Sequence, residues 1–176
     1  MKTDPDMALF PVGIITNEVK TPFLKSDKTG ISMQGDMEKV MQEVRKTKTR
    51  RSRIVIRPEF VNLLTGIEAY SHLVVLYWAH LVAKENRTIT MVHPMGRKQI
   101  PKVGIFCTAS PVRPNPILTT VVKLWACEDN VLTVTGLDAV DQSPVLDIKP
   151  YVEKFHPKEE TRIPAWMAQI IKIVNP

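Results

Sequence analysis

Residues 71–82, SHLVVLYWAHLV, decide the fold class. The even positions are His72, Val74, Leu76, Trp78 and His80, and the odd ones are Leu73, Val75, Tyr77, Ala79 and Leu81. Successive side chains of an extended chain point to opposite faces, so this segment reads as a strand that is apolar on both. Such a strand must be covered by a helix, another sheet or a second subunit. Working outward, residues 12–15 are a short strand. Residues 53–57 place Ile54 and Ile56 on one face and Arg53, Val55 and Arg57 on the other, and Pro58 ends the run. Residues 117–126 and 131–136 read as strands joined by Glu128, Asp129 and Asn130, a hairpin signal. Residues 145–149 and 170–174 bring the total to about eight short strands. Met37, Val40, Met41 and Val44 fall at helical spacing, which predicts a short amphipathic helix over 36–46 with its methionines in the core. Residues 59–70 read as a short helix or helical turn. An open sheet or closed barrel fits this pattern better than a doubly wound fold.

The chain of 176 residues and 19.9 kDa, 44% apolar and 24% charged, is expected to form one domain over 1–176. Its longest apolar stretch, residues 73–83, is interrupted by His80 and is too short to cross a bilayer. The start, MKTDPDMALF, lacks the basic segment and apolar run of a signal peptide, so a cytoplasmic protein is expected. Cys107 and Cys127 are too few for a disulfide framework and read as buried thiols. The seven glycines never form a GxG, which argues against a Rossmann-type cofactor loop. No Walker A sequence, GxSxG elbow or HExxH helix occurs. His72 and His80 share a strand face but lie eight residues apart, too far for joint metal ligation, so no metal is expected.

The net charge of +6 is local. Arg45, Lys46, Lys48, Arg50, Arg51, Arg53 and Arg57 are seven cations with no acid between Glu43 and Glu59, and without them 17 basic residues face 18 acidic ones. A cluster of this kind is the footprint of a polyanion partner, or else a solvated basic loop. Aromatic content is 6% and no RNP-type motif is present, so stacking of single strands on a sheet is not indicated.

Two segments hold polar groups in rigid frames. In VGIFCTASPVRPNPI, residues 103–117, a strand enters a loop stiffened by Pro111, Pro114 and Pro116, and Arg113 and Asn115 both precede a proline. In GLDAVDQSPVLDIKPY, residues 136–151, Asp138 and Asp141 bracket a turn and Asp147 and Lys149 share the next strand. Carboxylates at a strand end can hold a ribose diol or accept a proton, and they equally serve as turn caps.

RPNPI and LDIKPY, with GIEAYSHL before the apolar strand and the opening PVGII followed by TPF, make the chain similar to the TsaA-like (TrmO) family over about residues 10–151. The resemblance implies a compact closed β-barrel with a few short helices, with residues 152–176 as a C-terminal extension. It also implies an S-adenosyl-L-methionine-dependent tRNA methyltransferase, homodimeric with the cofactor near the subunit interface, acting on N6 of threonylcarbamoyladenosine beside the anticodon. The family's Pro-Arg-Gln cofactor segment falls on Ser32, Met33 and Gln34, of which only the glutamine is kept. The histidine ending the long strand is His80, followed by Leu81. Ala109 stands where an arginine is usual, Leu118 where a glycine follows RPNPI, and Asp141-Gln142-Ser143 replaces an Asp-Gly-Thr turn. The cofactor contacts so implied are Ser32, Met33, Gln34, His80, Leu81, Ala109, Arg113, Asn115, Thr119, Asp138 and Asp141.

Methyl transfer from a sulfonium is an in-line displacement that mainly needs placement. The acceptor nitrogen must lose its proton, for which His80, Asp138 and Asp141 are the candidate catalytic residues, with Asp147 and Lys149 in support. The cations of 45–57, with Lys149, are the expected tRNA contacts. The alternatives are a methyltransferase for another RNA or a small molecule, a non-catalytic RNA-binding barrel, and a metal-dependent hydrolase using His72, His80 and the aspartates.

Overall fold

The structure, a computed structural model, describes residues 8–27, 30–33 and 37–174. In chain order the strands are β1 Gly13–Thr16, β2 Leu24–Asp27, β3 Gly30–Met33, β4 Arg51–Ile56, β5 His72–Trp78, β6 Met91–Val92, β7 Val103–Gly104, β8 Ile117–Glu128, β9 Val131–Thr135 and β10 Pro144–Pro150. The α-helices are α1 Met37–Thr47 and α2 Ala165–Val174. Six strands close into an antiparallel barrel in the order β1-β10-β5-β8-β9-β4, because β1 pairs with both β10 and β4. The closed barrel implied by the resemblance is the observed fold. Two small hairpins, β2-β3 and β6-β7, lie outside it.

Strand β5 behaves as its alternation requires. Leu73, Val75 and Tyr77 point inward and are at most 2% exposed, while His72, Val74, Leu76 and Trp78 remain half-buried outside. With Ile15, Ile54, Val122, Leu132, Val134 and Val145, all fully buried, they fill the interior, as a barrel this narrow demands. Register shifts between Leu124 and Ala126 on β8, and between Val145 and Asp147 on β10, bend those strands around the barrel. At Gly13 a Cβ would lie 2.6 Å from the Val55 carbonyl oxygen, so β1 and β4 can approach this closely only through glycine.

The amphipathic helix forms as α1, ending one residue beyond the expected span, and buries Val40 and Met41. Glu38 in its first turn and Arg45 and Lys46 in its last complement the helix dipole. Residues 58–64 and 67–69 are 3-10 turns.

Three expectations are corrected. Residues 170–174 are the end of helix α2, not a strand. Pro164 starts the helix by accepting from the Met167 amide, Ala165, Met167, Ala168 and Gln169 favour it, and a closed ring offers no edge for another strand. Strand β5 stops at Trp78 rather than Val82, because the chain turns back on itself there: the His80 amide donates to the Trp78 carbonyl at 2.9 Å and the Val82 amide to the Ala79 carbonyl at 3.1 Å. His80 is therefore off the strand and shares no face with His72. Cys107 is exposed in a single 3-10 turn and Cys127 is half-buried on β8. Among the described residues no helix is long and apolar enough to cross a membrane.

Candidate active site

A cavity of about 750 Å³ opens where β5 leaves the barrel. Tyr77 and the turn Ala79–Ala83 form one wall, and the proline-rich loop supplies Thr108–Val112. Leu118 at the start of β8 and the β9-β10 connection, with Asp138, Ala139, Val140 and Ser143, form the floor. Val19, Pro22 and Phe23 close one side, and α2 covers the other with Trp166, Met167, Ile170 and Val174, the face its helical spacing presents. Apolar walls with a few placed polar groups, at this size, are the usual composition of a small-molecule site.

The polar groups are anchored in the barrel. Asp138 Oδ1 accepts from the Tyr77 hydroxyl at 2.8 Å and from Thr120 Oγ1 at 2.6 Å. Burial pushes the Tyr77 pKa up, and the adjacent Asp138 charge adds to this, so the hydroxyl remains a donor. His80 Nδ1 lies 3.2 Å from Ser143 Oγ. Burial pushes the His80 imidazole below its ordinary value, against the opposing charge of Asp141, which favours the neutral ring.

Of the residues the sequence singles out, His80, Leu81, Ala109 and Asp138 line this cavity together. Asp141, Arg113, Asn115 and Thr119 do not. Asp141 accepts from the Asn17 amide at 2.9 Å and pairs with Lys20 at 2.6 Å, and these contacts hold its carboxyl below the usual range. Arg113 turns back on its own loop, donating from Nε to the Ser110 carbonyl at 2.8 Å and from Nη2 to the Thr108 carbonyl. It braces the wall. Asn115 and Thr119 are exposed, and so is Ser32 on β3. Gln34 lies outside the described residues, as does the side chain of Met33.

The basic segment divides. Arg45 faces Glu38 at 3.8 Å and donates to the Ile173 carbonyl, joining α1 to α2. Lys46 and Arg50 both pair with Glu43, at 2.6 and 2.7 Å, and Arg57 pairs with Glu59. Lys149 pairs with Asp147. Arg51 and Arg53 point outward from β4, Arg51 toward the Trp125 ring. Lys48 is exposed beyond α1.

Sequence reasoning missed several participants. Asn17 donates through Nδ2 to Ser52 Oγ at 3.3 Å and to the Ala139 carbonyl at 2.9 Å, and its Oδ1 accepts from the Val19 amide at 2.9 Å. It ties the cavity side wall to the floor, and no local pattern marks it. Tyr77 carried a signal, because an inward-facing hydroxyl in an apolar barrel needs a partner.

A closed β-barrel with a lateral apolar cavity, a braced carboxylate at its floor and a part-buried imidazole in its wall defines a small-molecule-binding barrel without a glycine-rich loop. The chain belongs to the tRNA-methyltransferase O N-terminal domain family, which matches residues 19–156. A Methanothermobacter thermautotrophicus protein named "Probable S-adenosyl-L-methionine-binding protein" is 38% identical over 151 residues, 86% of this chain and 94% of that protein. A mouse tRNA (adenine(37)-N6)-methyltransferase is 37% identical over 105 residues, covering 60% of this chain and 23% of the relative. The crystal structure of TrmO from P. aeruginosa superposes with a TM-score of 0.65 at 24% identity, covering 94% of this chain. This chain spans 62% of that solved chain.

Proposed function

We propose that this protein is an S-adenosyl-L-methionine-dependent methyltransferase acting on N6 of threonylcarbamoyladenosine beside the tRNA anticodon. The observation that carries the reading is the convergence of Asp138 and His80 on one apolar cavity of cofactor size in a chain of this family. The donor set fits the cofactor. Apolar surface from Leu118, Val112 and Pro111 suits an adenine and a thioether, and Asp138 suits a hydroxyl or a positive charge. When bound, S-adenosyl-L-methionine supplies a methyl group on a positively charged sulfur.

The chain's own residues do the rest. The acceptor nitrogen has its lone pair delocalised into ring and carbamoyl, so its proton must be removed. His80, kept neutral by burial, accepts that proton on the ring nitrogen not facing Ser143. Asp141, already engaged by Lys20 and Asn17, shapes the floor. The Arg113-braced loop and α2 orient the reactants and exclude water.

The reading includes a cytoplasmic homodimer. The outer face of β5 and β8 supports it, since Val74 and Leu76 are half-buried and Val121 is 45% exposed. A second reading keeps the cofactor and changes the acceptor to another RNA or a small molecule. It is favoured by the position of Ala109 and Leu118, both departures from the family pattern, in the cavity lining.

Mass spectrometry of tRNA from a deletion strain tests the assignment. Loss of the methyl group from the modified adenosine, restored by the wild-type gene, is expected. Unchanged methylation would remove the tRNA acceptor.

A further inference from the structure

We propose that a cation-aromatic belt on the outer wall, formed by Arg51, Trp125, Lys123 and His72, is a docking strip for unpaired RNA, remote from the cavity. This rests on the reading of the substrate as RNA. The belt is assembled by register. Arg51 on β4 faces Thr135 on β9, Thr135 faces Lys123 on β8, and Lys123 faces His72 on β5. Directly opposed residues share a face, so the row runs across four strands, about 14 Å at the usual strand spacing.

Trp125 is the centre of the row. It is 52% exposed for so large an apolar side chain, and its orientation is fixed because Nε1 donates to Thr135 Oγ1 at 3.0 Å. Lys123 Nζ sits 4.1 Å from the ring centroid and the Arg51 guanidinium 5.7 Å from it. Beyond His72 the aromatic surface continues into Tyr151, with His156 stacked on it at 4.8 Å.

Charge complementarity selects the occupant. Arg45, Lys46, Arg50 and Arg57 are matched to carboxylates, whereas no ion pair joins Arg51, Arg53 or Lys123 to an acid among the described residues. Two cations flanking a pinned, exposed indole supply what single-stranded nucleic acid needs, a stacking face with phosphate partners beside it. As a base takes the ring face, the flexible Lys123 ammonium moves to a phosphate. Five residue steps along β5, roughly 16 Å, separate His72 from Tyr77, so the cavity and the belt can be engaged together only by a large substrate. The low aromatic content conceals the belt, because its members are 21 to 74 residues from one another except for Lys123 and Trp125.

The test is the affinity for unfractionated tRNA and for an RNA hairpin carrying an anticodon loop, measured against salt. Trp125→Ala should weaken binding roughly 10-fold or more, with Trp125→Phe retaining much of it. Arg51→Ala with Lys123→Ala should reduce the log-log salt slope by about 1.4, at roughly 0.7 per phosphate. Should Trp125→Ala fail to fold, the phenylalanine variant and the charge pair carry the test. In methyl transfer the belt variants should raise KM for tRNA at unchanged kcat and cofactor affinity. Wild-type affinity and slope in the variants overturn the belt even if methyl transfer proceeds. If wild-type protein transfers no methyl group yet the variants lose RNA affinity, the enzymatic reading falls and the belt stands. Dissociation of a dimer by Trp125→Ala with RNA affinity intact would make the row an interface between copies and overturn the proposal.

Discussion

The hydroxyl of Tyr77, a residue 2% exposed in the barrel core, donates to Oδ1 of Asp138 at the cavity floor over 2.8 Å. A carboxylate open to the cavity is thereby held by a group whose ring cannot move without disturbing the core. Thr120 completes the brace from the next strand at 2.6 Å. Such anchoring leaves the acidic group ready for a ligand before one arrives. Tyr77→Phe removes one charge-assisted bond while keeping the packing, so cofactor affinity should fall roughly 10-fold with only a small change in melting temperature. Calorimetry and thermal melting on the same variant check both.

His80 governs the acid side of the pH profile if it takes the proton. Because burial lowers its pKa, the inactive protonated ring should accumulate only below the ordinary histidine value of about 6.5. kcat should therefore fall with decreasing pH along a limb whose midpoint lies under that value. His80→Gln should remove that limb and lower kcat by about 100-fold to 10,000-fold. A pH-rate profile of both proteins is the measurement.

Asp141 gives the fold a dependence on acid. Its folded pKa lies below the unfolded one because Lys20 and the Asn17 amide favour the charged form. As pH drops below about 3.9, the unfolded chain takes up a proton that the folded chain declines, and stability falls. Above that range the contribution is fully present. Asp141→Asn should lower stability at neutral pH and flatten this acid dependence, as read from denaturant melts at several pH values.

Two backbone positions give stability changes of opposite sign. Gln142 holds φ 64 in the left-handed region, where the resembled turn has glycine, so Gln142→Gly should stabilise by roughly 1 kcal/mol. Gly13→Ala places a Cβ 2.6 Å from the Val55 carbonyl oxygen and should destabilise by about 1–3 kcal/mol. Chemical denaturation of the two variants beside the wild type decides both.

Much of this was legible in the chain. Two-faced β5, the alternation of β4 and the Asp129-Asn130 hairpin are set by local pattern, and so is the buried face of α1. Asp138 could be singled out because it sits just past a strand end, and His80 because the resemblance matches it to the histidine ending the long strand. What escaped depends on partners distant in sequence. Arg113, expected to contact the cofactor, bends back because the Thr108 and Ser110 carbonyls in the same loop need donors. Residues 170–174 look like a strand when read alone, yet ring closure by β1 leaves nowhere for one to pair. Asn17 joins residues more than a hundred positions away, and the Trp125 row exists only once three strand registers are known.

The most direct measurement is calorimetric titration of S-adenosyl-L-methionine into wild-type protein and into Asp138→Ala. Saturable binding far tighter than ~1 mM to the wild type, and at least about 10-fold weaker to the variant, is the predicted result. No heat at millimolar cofactor, or equal affinity for both proteins, would contradict the assignment of the cavity.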